Sequence, residues 1–257
     1  MRPTGCTRTV LILAVWSAVS TLLHAQSPES LFERANAAYQ SGDFAGAEKL
    51  YRQVLDAGIN NGVVWYNAGN AYFKQKKLGS AIYCWEKAKR RLPLDPDIRA
   101  NLELANLLVV DRIEVAPEPL FVRWLNRGIH LLTPEQESWA FLLLFTAGGI
   151  FAAIAIRARR PATALRALIA AGLTAALALC FAGSFGWKAY ESAFLRRGVV
   201  VAEKADIRSG PGTDNITVVT IHEGMQLRVL GQTQDWLQVS LPNGWAGWLP
   251  SETVWIL

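Results

Sequence analysis

Two charge-free apolar runs dominate the hydropathy pattern of the chain. The first extends from Trp139 to Ile156 and the second from Ala167 to Trp187. At about 1.5 Å per residue, a helix of either length crosses most of a hydrocarbon layer about 30 Å thick. Between the runs, residues 157–166 carry Arg157, Arg159, Arg160 and Arg166 and no acid. So short a link makes the two helices antiparallel neighbours, and its arginines place it on the cytoplasmic side. The expectation is a transmembrane hairpin over residues 138–156 and 167–187, with the chain before and after it outside. Trp139, Trp187 and Tyr190 would form the outer aromatic girdle. Gly148, Gly149, Gly172, Gly183 and Gly186 would let the helices approach closely. Neither run holds an acid or a histidine, so an ion or proton path has no groups to run along.

Before the hairpin the apolar positions take a helical period and recur about every 34 residues. The clearer copy has Trp65, Ala68, Gly69 and Tyr72, then Ala81, Trp85, Ala88 and Pro93. The first has Leu31, Ala35, Ala38 and Tyr39, a Gly42-Asp43 turn, then Ala47, Tyr51 and Val54. Small residues at Ala35/Gly69 and Ala47/Ala81 allow paired helices to close up, and Tyr51 and Trp85 fill the space between repeats. These positions resemble the tetratricopeptide repeat (TPR). A further helix is predicted from Pro96 to about Asp111. Asp95 caps it, and Ile98, Leu102, Ala105 and Val109 cover the end of the array.

The TPR resemblance implies a groove lined by the first helix of each repeat, here by Phe32, Asn36, Tyr39, Tyr66, Asn67, Asn70 and Phe73. Asn36 and Asn67 stand where carboxylate-clamp members hold a peptide C-terminus. The clamp's basic positions are Phe32, Asp97 and Asn101 here, which argues against carboxylate capture. The other reading is that the asparagines and aromatics only shape the repeats.

Residues 113–137 link the repeats to the hairpin. The stretch Ala116-Pro-Glu-Pro119 breaks any helix through its two prolines. Val122, Leu125, Ile129 and Leu132 then make an apolar stripe beside Trp124, Arg123 and Arg127. This pattern suits a helix lying in the bilayer surface, or one packed on the repeat cap. Thr133-Pro134, with Gln136 three residues after the threonine, predicts a capping box at the start of the first membrane helix.

After residue 198 the period changes to two. Short alternating runs at 198–201, 205–208, 217–221, 225–230, 236–240 and 245–249 are separated by turn signals such as Glu223-Gly224 and Asn243-Gly244. They predict a small β-barrel. Ala205-Asp-Ile-Arg-Ser-Gly-Pro-Gly212, Trp236-Leu-Gln-Val239 and Gly244-Trp-Ala-Gly-Trp-Leu249 resemble the bacterial SH3 (SH3b) family. That resemblance implies binding of cell-wall peptides or proteins, with Trp236, Trp245 and Trp248 as a recognition surface. Alternatively, at least two of these tryptophans belong to the barrel core. Asn215-Ile-Thr217 also fits a glycosylation pattern.

The fold class is therefore multidomain. An all-α TPR helical repeat (26–112) is followed by the linker, a two-helix transmembrane hairpin and a small all-β SH3-like barrel (198–257). Residues 1–25 read as a signal peptide, with Arg2 and Arg8 before an apolar run ending near Ala25; an uncleaved anchor is the other option.

Composition refines this picture. Hydrophobic residues make up 51% of the 257, with a mean hydropathy of +0.18, high for a soluble domain and low for a polytopic transporter. Much of the +5 net charge lies in the arginine link and the signal region, so it is no nucleic-acid footprint. Cys6, Cys84 and Cys180 have no metal or disulfide spacing, and the latter two read as small buried apolar residues. His24, His130 and His222 are dispersed, and neither a phosphate loop nor a Gly-x-Ser-x-Gly elbow occurs. No catalytic residue, metal site or cofactor is expected, and the chain is read as not an enzyme.

The order of parts, with Asn101-Leu-Glu-Leu-Ala-Asn106 after the second repeat, resembles the BatE-like membrane proteins of bacterial aerotolerance (Bat) operons. The resemblance implies a non-catalytic scaffold in the inner membrane with both folded domains periplasmic. Its partners would be the lipid bilayer, von Willebrand factor A-type Bat proteins and a MoxR-type ATPase complex. The alternatives are a cell-wall sensor binding peptidoglycan through the barrel, and a membrane-anchored enzyme with an unrecognised site.

Overall fold

The computed structural model describes residues 27–113 and 119–257. The signal segment 1–25, and most of the predicted helix breaker before Pro119, lie outside the described residues. Among the described residues five antiparallel helices come first: α1 (Pro28–Gln40), α2 (Phe44–Asp56), α3 (Gly62–Lys74), α4 (Leu78–Lys89) and α5 (Pro96–Leu108). Local chemistry sets their ends. Gly42 has φ +85°, open to glycine without strain, and Asp43 then caps α2 through the Gly46 N–H. Asp95 caps α5 by accepting from the Asp97 and Ile98 N–H groups. Tyr51 and Trp85 are each 1% exposed and fill equivalent positions in successive repeats. A Cβ on Gly69 would sit 2.6 Å from the Trp85 ring, so that position must lack a side chain. Helix α5 ends at Leu108, earlier than the sequence suggests. Val109 then packs on the repeats and Ile113 against the barrel core.

Helix α6 (Leu120–Ile129) has no buried residue, and Leu120, Phe121 and Trp124 are each more than 70% exposed. It is not packed on the repeat cap. Helices α7 (Pro134–Arg157) and α8 (Pro161–Phe194) form an antiparallel hairpin, both long and apolar enough to cross a membrane. The Thr133–Gln136 capping box opens α7. The link is only Ala158–Arg160, shorter than the 157–166 expected, because Pro161 is accepted at the first position of a helix. Of the five expected close-packing glycines only Gly148 meets the other helix, near Thr174; the rest face open space. Cys84 is buried as expected, but Cys180 is exposed on α8.

The barrel is one curled antiparallel sheet: β1 (Arg197–Val200), β2 (Lys204–Arg208), β3 (Thr217–His222), β4 (Gln226–Thr233), β5 (Trp236–Ser240), β6 (Ala246–Pro250) and β7 (Val254–Ile256), in the order β3-β2-β6-β5-β4-β1-β7. The sequence pattern missed β7, whose three residues are too few to show an alternation. Val200, Ile207, Leu237, Val239 and Leu249 form the interior.

The barrel docks on the repeats. Val199 is buried within the repeat core, and Trp255 and Leu257 pack against it. The Trp255 ring meets Tyr83 edge-on at 5.1 Å and Tyr72 at 5.9 Å. Helix α4 is preceded by Lys77, which gives it no side-chain cap. The missing acceptor comes from Glu223, whose Oε2 lies 3.0 Å from the Gly79 N–H. A Cβ on Gly79 would fall 2.2 Å from the Val200 carbonyl oxygen, so only glycine lets the strand come this close. Asp111 adds two bonds, accepting from the His222 N–H and lying 3.0 Å from its ring Nδ1.

Candidate functional site

All seven residues expected in the repeat groove are half-buried, on α1 and α3. They are organised by amide groups that repeat with the helices. The Asn36 Oδ1 accepts from the Tyr51 hydroxyl at 2.7 Å and from the Asn67 Nδ2 at 3.2 Å. One repeat later, the Asn70 Oδ1 accepts from the Trp85 Nε1 at 3.0 Å and from the Asn101 Nδ2 at 3.1 Å. An indole N–H only donates, so Asn70 must turn its oxygen inward and its NH2 away. The Asn67 NH2 fixes Asn36 in the same sense. Neither the Asn36 nor the Asn70 NH2 donates a bond among the described residues.

Rings frame these amides. Phe32 leans on Tyr51, Tyr39 meets Phe44 edge-on at 5.2 Å, and Phe73 tilts against Trp85. Partial burial, and then the neighbouring Tyr66, raise the Tyr39 phenol pKa. Burial pushes Tyr51 up to about 12, so both phenols are neutral donors at physiological pH. The groove is thus uncharged and aromatic, and its unbonded amide donors suit a ligand that offers acceptors, such as an extended peptide backbone.

None of the three barrel tryptophans is buried, against the reading that two form the core. Trp236 and Trp248 are half-buried and Trp245 is 53% exposed at the β5–β6 turn. The alternation of the strands is the reason: Leu237, Val239 and Leu249 occupy the inward positions, leaving Trp236 and Trp248 outside. Trp236 pairs with Pro250 and Trp248 with Gln238, which makes the two indoles diagonal neighbours on one face. Trp248 also pairs across to Arg208 on β2.

No pattern in the sequence announces a polar cluster at the outer end of the hairpin. Glu137, 3% exposed, accepts at Oε1 from the Lys188 Nζ and the Ser184 Oγ, both at 2.7 Å. Lys188 also donates to the Leu132 carbonyl at 2.6 Å, which ties the end of the linker to α8. The Glu137 Oε2 has no partner among the described residues. Glu137 stands two positions before the first apolar run and Lys188 one position after the second, where they look like ordinary end charges. Among the described residues no group of three or more His, Cys, Asp or Glu side chains could hold a metal ion.

Comparison with known proteins agrees with these shapes. Residues 62–95 match the tetratricopeptide repeat family, and residues 201–255 match the bacterial SH3 domain family. The chain is also similar to the BBSome complex member BBS4 of Bos taurus, at 39% identity over 66 residues. That stretch is 26% of this chain and only 13% of the relative's length. The chain thus carries a TPR repeat and a bacterial SH3 domain. These modules suggest binding of proteins or peptidoglycan, and no enzyme family is indicated.

Proposed function

We propose that this protein is a non-catalytic, membrane-anchored scaffold whose repeat groove holds an extended segment of a partner protein. The observation that carries the reading is the pair of outward NH2 groups on Asn36 and Asn70, held in place by Tyr51 and Trp85. The hairpin α7–α8 is the anchor. The repeats precede it and the barrel follows it, yet Val199 and Trp255 share the repeat core. Folded parts that share a core lie on one side of a bilayer, which supports a two-pass anchor. The arginines of the link favour the cytoplasm for the turn and the periplasm for both folded parts. Helix α6 then lies in the outer bilayer surface, with Leu120, Phe121 and Trp124 in lipid. The resemblance to BatE-like proteins makes von Willebrand factor A-type Bat proteins and a MoxR-type ATPase complex the partners to test.

Asn36→Asp together with Asn70→Asp keeps an acceptor for Tyr51 and Trp85 while removing the outward donors. Capture of von Willebrand factor A-type Bat proteins by the full chain in detergent should fall at least tenfold, with the melting temperature little changed. Undiminished capture refutes the groove. A second reading, peptidoglycan binding by the barrel, is favoured by the outward Trp236 and Trp248. Retention on purified peptidoglycan that disappears in Trp236→Ala/Trp248→Ala would support it.

A further inference from the structure

Where the barrel meets the repeats, a cleft of about 540 Å³ remains open. It shares no residue with the repeat groove. Its walls are Leu55 of α2, Trp65 and Tyr72 of α3, Tyr83 of α4 and the strand β7. Glu48, Arg52 and Asp56 stand along α2. The volume lies within the range of about 300–1,000 Å³ typical of ligand pockets.

The geometry of β7 says what kind of occupant fits. β7 is the last strand of the sheet and pairs only with β1. The Leu257 N–H bonds to the Arg197 carbonyl and the Val201 N–H to the Thr253 carbonyl. In the observed register Val199 and Trp255 are therefore the bonded pair between them, while Gly198–Ile256 and Val200–Val254 are non-bonded pairs. The N–H and C=O of Ile256 and the C=O of Val254 thus point off the free edge. The Val254 N–H is taken by Ser251. Val254 packs into the barrel and Trp255 against the repeats, so their side chains leave opposite faces of the strand. Both border the cleft, which accordingly meets β7 edge-on.

The charges on α2 are unequally engaged. Glu48 takes bonds from Arg52, Lys77 and Gln75. Burial alone would raise its carboxyl, but the Lys77 and Gln75 donors outweigh it and hold the pKa below the usual value. Arg52 is further held by the Tyr72 hydroxyl. Asp56 accepts no hydrogen bond among the described residues and is exposed, so a cation brought to this rim meets it first.

We propose that this cleft binds an extended segment of a partner protein. The segment adds to the free edge of β7 as a further strand. It places one large apolar side chain among Trp65, Tyr72 and Tyr83 and an adjacent lysine or arginine beside Asp56. Strand addition supplies main-chain hydrogen bonds and the aromatic walls supply selectivity. The site exists only because barrel and repeats are joined, so it would also report whether they are docked.

The test uses the full chain in detergent and a library of end-capped random heptapeptides. Ile256→Pro removes the outward N–H without breaking a bond to β1, which an edge strand tolerates, although it also gives up the Ile256 side chain packed on the barrel core. Asp56→Lys reverses the exposed charge and leaves the strand alone. The library should enrich peptides with a basic residue next to a large apolar one. The most enriched peptide, labelled with fluorescein, should bind at least tenfold more weakly to each variant, and equally well to Asn36→Asp/Asn70→Asp. The proposal is overturned by no enrichment over the Ile256→Pro protein, by unchanged binding to both variants, or by loss on the groove variant. Should Ile256→Pro melt early, Asp56→Lys gives the same decision.

Discussion

The seam between barrel and repeats and the outer end of the hairpin both join segments far apart in the chain, by opposite means. At the seam the contacts are many and the polar ones are paired. Glu223 caps α4, Asp111 holds His222, and Val199 and Trp255 fill apolar space. Removing any one leaves the others in place and exposes little that needs a partner. At the hairpin end the contacts are few and converge on one carboxylate. Glu137 is buried, relies on Lys188 and Ser184, and has one oxygen without a donor among the described residues. The contrast shows that the cost of a substitution depends less on the bond lost than on what stays behind. Apolar surface left behind is a modest loss, whereas a buried charge left behind is a large one.

That contrast orders the expected effects. Lys188→Met strands the Glu137 carboxylate and should destabilise the full chain by about 3–5 kcal/mol. The double variant Glu137→Met/Lys188→Met should recover most of this in thermal unfolding in detergent. If single and double variants melt together, the buried charge is not what governs that end. Gly79→Val pushes into the Val200 carbonyl and should cost about 1–3 kcal/mol by overpacking. It should also lift the barrel from α4 and speed tryptic cleavage at Arg196 and Arg197. An unchanged digestion rate would mean the seam yields without opening. Glu223→Ala removes only the cap and should cost about 1 kcal/mol.

Much of this chain was legible because its patterns are periodic. The repeat of about 34 residues gave the paired helices, the small positions at Ala35, Gly69, Ala47 and Ala81, and the aromatic fillers Tyr51 and Trp85. Thr133 and Gln136 announced the start of α7, and the two apolar runs announced the hairpin. The seam was not legible, because it is built from residues that already have local meanings. Gly79 reads as a loose helix start and Glu223-Gly224 as a hairpin turn. Only the fold shows that Gly224 comes within 3.0 Å of Ile82, on the Cβ position it lacks. The tryptophans failed for a different reason. Ring size argued for the core, but Leu237 and Val239 had already fixed the phase of β5, and phase prevails over size in a strand. In the groove the sequence singled out Asn36, Asn67 and Asn70 without telling which atoms they spend on the fold. That needed the donor-only indole of Trp85.

Lys87 tests the same contrast from the seam side and carries the smallest effect. Its Nζ lies 5.3 Å from the centre of the Tyr83 ring, which in turn packs on Trp255, and it makes no ion pair among the described residues. Burial, and then Arg90 and Arg91, push its pKa down from 10.5 to about 8. Between those two values the unfolded chain binds more protons than the folded one, so stability rises with pH through this window. Below about pH 8 the cost of the charged form is present in full; above about pH 10 it has gone. Lys87→Met should therefore melt above the wild type at pH 7, and the gap should close as pH climbs from 8 to 10. Because the side chain is half exposed, solvent screens it, and the difference should stay below about 1 kcal/mol. A gap that does not change across the window would mean that Lys87 reaches water freely. The seam would then hold no strained charge at all, leaving Glu137 as the place where one is kept.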